Sequence, residues 1–288
     1  MTRNIYSATC KLHLQIKIFL LIGILLGCSV ATWAEAPEVF LYYDENYGFN
    51  PDGWGDWKST KKIEDAVVAE LDAAKIASVV GNADEFLAYM EDNPEGVIVS
   101  PIVVPEIVYT IGMKDDSPME NFLFDGGVLI YSGDTPFYAV GKKDAPGQKI
   151  VPGNQGVKDV LNFTAQYITT TAAAVKPTDE GKKLIPSLEP FNPNRPGLLN
   201  VLEAEKCDPI EVYAEAGNSA DPILFAAPDM KGYFVHFHME TLGNKPDDYL
   251  TQVGLEIGEL ITNRFGELLD VEPQGKLTTT WGNLKSIK

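Results

Sequence analysis

This chain is poor in cysteine and histidine, short of basic charge, and has no apolar run that crosses a bilayer comfortably. Of its three cysteines, Cys10 and Cys28 lie in or beside an amino-terminal segment that reads as a removable leader, which leaves Cys207. An internal disulfide is thereby excluded, and a fold without that staple must stand on its own core. Only two histidines, His236 and His238, lie beyond residue 13. With 41 acids against 23 bases the net charge is −18. A surface this acidic repels nucleic acid and anionic lipid and argues against a role on either. No internal repeat is present, and no phosphate loop: Gly53-Trp54-Gly55 lacks the glycine and lysine spacing that cradles phosphate.

Arg3, Lys11 and Lys17 precede an apolar run over 18–26 and small residues to Ala36. That pattern reads as a secretory signal peptide over residues 1–34, with Thr32 and Ala34 as the small residues before the cut. Leu25-Leu26-Gly27-Cys28 also fits a bacterial lipoprotein box, so a lipid anchor at Cys28 stands as the alternative to simple export. Either way the mature protein is expected outside the cytoplasm, periplasmic or extracellular, with no transmembrane span.

Seven apolar runs read as strands: 39–43, 76–80, 97–100, 128–132, 210–214, 223–226 and 233–239. Helical spacing fills several gaps between them. A helix starts near Ser59 or Thr60, burying Ile63, Ala66, Val67 and Leu71 with its acids on the opposite side. Another spans 84–90. Ser117-Pro118-Met119-Glu120 has a capping serine, a proline at the first helical position and a glutamate three residues on, and Gly126-Gly127 supply the stop. A short helical pattern comes next at 155–161, and a final helix at about 246–265 turns Leu250, Val253, Ile257, Leu260 and Ile261 inward. Alternating strands and helices imply a doubly wound, mostly parallel sheet with helices on both faces, a flavodoxin-like three-layer α/β sandwich. Residues 37–270 read as one domain, interrupted by a Pro-rich insertion at about 164–206, and 271–288 as a carboxyl-terminal extension.

In such sheets ligands bind beyond the carboxyl ends of the strands. The loop after the first strand carries Asp44, Trp54 and Trp57; aromatic rings beside carboxylates suit sugars, whose apolar faces stack while hydroxyls bond to acids. The same tryptophans would equally serve as a lid on the core. Asp134 comes after the fourth strand in Gly-Asp-Thr-Pro, placed to hold a ligand hydroxyl or to bond its own turn amides. On the last strand a period of two puts His236, His238 and Glu240 on one face. They would supply a general base, a buried hydrogen-bonded cluster or two ligands of a metal. A third imidazole or cysteine is lacking, so no metal and no cofactor is expected.

Gly-Tyr-Phe-Val-His-Phe-His-Met-Glu at 232–240 resembles the last-strand motif of the class I glutamine amidotransferases. The resemblance implies His238 as a base oriented by Glu240; in the hydrolase alternative given below, Asp134 is a second candidate for that orienting role. GVIVSP at 96–101 and GGVLIYSGDTPF at 126–137 are similar to the trehalose-utilisation (ThuA-like) branch of that superfamily. The family's nucleophilic cysteine is missing: the matching strand ends Tyr131-Ser132-Gly133-Asp134, and Cys207 lies just before a strand. The implied protein is therefore an exported, non-amidotransferase relative that binds a small polar ligand such as a carbohydrate. Two alternatives stand beside it: a hydrolase with His238 as general base and Ser132 or a water attacking, and a protein-interaction or scaffold module.

Overall fold

Val39–Tyr42 (β1) is four consecutive buried residues, as a strand covered on both faces requires. In this computed structural model, which describes residues 38–47, 56–113, 115–145, 148–170, 173–240 and 245–269, β1 lies inside a seven-stranded sheet. Residues 1–34, read above as a signal peptide, with Cys28, Trp54, and residues 271–288, read as an extension, lie outside the described residues.

The other main strands are Ser78–Gly81 (β2), Val97–Pro101 (β3), Val128–Ser132 (β4), Ile210–Val212 (β5), Ile223–Phe225 (β6) and Tyr233–Phe237 (β7). Their order is β5-β6-β7-β4-β3-β1-β2. The five strands from β2 to β7 pair in parallel, and β5 and β6 extend the β7 side antiparallel. This is the flavodoxin-like order with two added strands, and it places β7 inside the sheet.

Right-handed crossovers then set the helix layers. The chain steps outward from β1 to β2 and back across to β3, so the helices Trp57–Ala74 (α1) and Ala83–Asp92 (α2) take opposite faces. Pro118–Asp125 (α3) and Gln155–Leu161 (α4) come next, on the side of α2. Phe40 and Tyr42 of β1 stack on Phe86 of α2. The last long helix, Asp247–Leu260 (α7), packs along α1. Gly254 allows this approach: a Cβ there would lie 2.6 Å from Ala66 Cβ and would press on the Ile63 carbonyl.

Local chemistry fixes the ends. Asp56, not Ser59 or Thr60, caps α1 by accepting from the Ser59 amide. Asn82 and Glu85 form a reciprocal capping box on α2. On α3 half of the expected box is present: Ser117 accepts from the Glu120 amide, but the Glu120 carboxylate accepts from Asn162 Nδ2 instead. Gly126, at φ 137°, ends that helix.

The Pro-rich stretch is not wholly irregular. It holds the short helices Asp179–Leu184 (α5) and Leu199–Ala204 (α6), and its two-residue strands Lys176–Pro177 and Gly197–Leu198 join Ala214–Ala216 and Ser219–Ala220 in a small four-stranded sheet. The apolar run expected at 210–214 divides at Tyr213, one part entering each sheet. No described helix is long and apolar enough to cross a membrane.

Candidate functional site

Two polar centres lie around the carboxyl end of β7. The strand stops at Phe237, and His238 takes the left-handed region at φ 45°. The two-residue alternation ends with it, so His236 and His238 meet different neighbours. His236 stays in register beside Tyr131, with Nδ1 3.1 Å from the Tyr167 hydroxyl. Its Nε2 has no hydrogen-bond partner, although Asp221 Oδ2 lies 3.8 Å away. Burial pulls the His236 pKa down to about 3, so the ring is neutral and that proximity is no ion pair. Burial also pushes Asp221 up to about 7, against the lowering influence of His238 and the Met239 amide.

His238 turns to α7. Its Nε2 lies 2.5 Å from Glu256 Oε2 and its Nδ1 3.2 Å from the Tyr249 hydroxyl, while Phe191 stacks on the ring at 3.9 Å. Burial works against the imidazolium, but Glu256, Asp221 and Glu240 outweigh it and hold its pKa above the ordinary histidine value. Glu240 does not touch the imidazole: it accepts from the Tyr249 hydroxyl at 2.6 Å and from Lys245 at 2.7 Å. The result is a chain Glu256–His238–Tyr249–Glu240–Lys245 in which both imidazole nitrogens are occupied.

The second centre is a cleft of about 230 Å³ beyond β4, walled by Asp134, Thr135, Tyr138, Asn154, Gln166 and Arg195, with Ile168 and Thr170 completing it. Asp134 Oδ1 accepts from the Thr135 amide at 2.6 Å and faces Arg195 Nε at 3.3 Å. Arg195 is anchored through its backbone amide, which donates to the Met239 carbonyl just past β7. The side-chain oxygen of Gln166 is buried without a partner.

The remaining candidates stand apart. Asp44 accepts from the Asn46 and Ala83 amides and so ties the loop after β1 to the start of α2. Trp57 packs edge-on against Tyr42 and Tyr43. Neither Asp44, Trp57, His236, His238 nor Glu240 lines the cleft that holds Asp134. Ser132, opposite Phe237 in register, is buried with no partner for its hydroxyl and no bond to His238. Cys207 is buried, which pushes its thiol up to about 12 and leaves it a poor nucleophile. Among the described residues no group of three or more His, Cys, Asp or Glu is placed to hold a metal.

Sequence reasoning missed Arg195, Gln166 and Asn154, which lie on connections without a period. It missed Glu256 and Tyr249 too, yet Glu256 left a signal: an acid beside Val253, Ile257 and Leu260 on an apolar face needs a buried partner.

No protein-family model and no curated protein matches the chain. Among solved structures it is similar to a protein of Bacteroides uniformis described as ThuA-like, at 8% identity and a TM-score of 0.38. The match covers 81% of this chain and 95% of that one.

Proposed function

We propose that this is an exported, non-amidotransferase member of the glutamine amidotransferase-like superfamily, near its ThuA-like branch, and that it binds a carbohydrate. The segments at 96–101, 126–137 and 232–240 support the kinship, and the basic and apolar pattern of residues 1–34 supports export. One observation carries the binding role: a charged pair, Arg195 and Asp134, lines one cleft together with the polar side chains of Thr135, Asn154 and Gln166. A ring of hydroxyls answers this lining. Its hydroxyls donate to Asp134, whose described contacts fall on Oδ1, and they accept from Arg195 and Asn154. Tyr138 adds an aromatic wall. No catalytic step is assigned to His238, because its two ring nitrogens are engaged by Glu256 and Tyr249 and neither bonds to Ser132.

Titration calorimetry of the mature protein against neutral mono- and disaccharides tests this reading. Saturable binding is expected, weakened at least tenfold in Asp134→Ala and Arg195→Ala, or about 1.4 kcal/mol each, with an unchanged melting temperature. A silent panel, or binding indifferent to both substitutions, would overturn it. Amino-terminal sequencing of exported protein is expected to begin at Glu35.

A further inference from the structure

We propose that the groove between α2 and α3 seats this chain's own carboxyl-terminal segment, residues 276–288. The groove is a hollow of about 300 Å³ with Leu87, Met90 and Phe122 inside it and Glu91 and Asp125 on its rim. Pro94 forms part of its wall and is shared with a neighbouring hollow of about 250 Å³, to which Leu268 contributes. Leu268 is 45% exposed and belongs to Gly266–Leu269, the last described turn of helix. The chain therefore leaves the described fold beside an apolar surface with acids around it.

The carboxyl-terminal sequence is complementary to that surface. Residues 276–288 hold Lys276, Lys285 and Lys288 and no acid, in a protein whose net charge is −18. Leu277, Trp281, Leu284 and Ile287 supply the apolar side chains that such a hollow would take. Asp125 has an exposed partner in Lys231 at 3.8 Å, a weak pair that an incoming lysine can replace. Residues 270–275 span up to about 20 Å when extended, enough to carry the segment from Leu268 across Pro94. Tethering raises its effective concentration to the mM range, so even a contact with an intrinsic Kd near ~0.1 mM is mostly closed. The groove lies at the amino ends of β3 and β4, since Asn93–Gly96 lead into the first and Asp125 into the second. Seating the segment there leaves the carbohydrate cleft, at the opposite ends of the strands, open.

Hydrogen–deuterium exchange on the full chain and on a chain ended after Gly275 is the test. Amides of 87–94 and 118–125 are expected to exchange at least tenfold faster in the shortened chain, and a synthetic 276–288 peptide to restore their protection. In the full chain, the paired reversal Glu91→Lys and Asp125→Lys is expected to give the same loss without any truncation, and 1 M salt to reproduce part of it. Equal exchange with and without the segment overturns the proposal. So does protection that survives truncation and falls on dilution, which assigns the groove to a second copy of the chain. Sugar binding in the cleft is expected to be the same in every arm.

Discussion

Glu64 on α1 and Glu256 on α7 are buried carboxylic acids on two helices that lie side by side, and their surroundings treat them differently. Glu256 meets His238. Glu64 meets no partner at either oxygen, and burial pushes its pKa up to about 9 from 4.5. The folded protein thus keeps a proton on Glu64 that the unfolded chain releases above pH 4.5, so this residue makes stability fall as pH rises from about 4.5 to 9. Glu64→Gln is expected to stabilise by on the order of 3 kcal/mol at pH 7 and hardly at all at pH 4. Urea unfolding at the two pH values checks it; no gain at pH 7 would mean the carboxylate is ionised and partnered. His238 has the same sign, its raised pKa giving stability that is full below about pH 6.5 and lost as pH climbs through the folded value. His238→Gln is expected to cost about 3–5 kcal/mol near pH 6, because Glu256 is left uncompensated, and the cost to shrink on the alkaline side. His236, pulled down to about 3, works the other way and weakens the fold as pH falls from about 6.5 towards 3. At this scale the sequence is least legible. A helical stripe shows which residues are apolar, but not that Glu64 sits inside it while other acids of α1, such as Asp65, stay out.

α1 and α7 are held close by small residues, and the element scale is where that can be tested. Gly254→Ala drives a methyl into the backbone of α1 at Ile63, which cannot swing aside. A loss of about 1–3 kcal/mol is expected from that overpacking, larger than the ~1 kcal/mol gained from alanine's helix propensity. Gly258→Ala meets the side chain of Glu70, a flexible neighbour, and is expected to cost less. Urea midpoints of the two variants give the comparison; equal values would mean that the helices can part freely. All seven main strands and five of the helices were readable in the sequence, most of them because each has a period or a cap of its own. The two-residue strands of the small sheet were not, since a pair such as Gly197–Leu198 has no period to show. The division at Tyr213 is likewise imposed by two different sheets competing for one apolar run. The alternation along β7 was legible as far as Phe237 and failed at His238, where the backbone changes hand.

Over the whole molecule, the doubly wound, mostly parallel class of the sheet was legible through alternation and crossover handedness, whereas its two antiparallel strands and the convergence of loops were not. β1 lies two strands from β4, about 10 Å across the sheet, and its loop residue Asp44 spends its oxygens on local amides. Arg195 reaches Asp134 from a proline-rich connection that no pattern ties to β4. The cleft is therefore a product of tertiary structure, assembled from residues with no common motif. The most direct test of it is a crystal structure of the mature protein grown with its tightest-binding sugar. The ring should lie against Asp134 and Arg195, with a hydroxyl bonded to the Asp134 carboxylate. A ring ordered against Trp57, in the groove beside α3, or nowhere in crystals grown well above the calorimetric Kd would contradict the assignment.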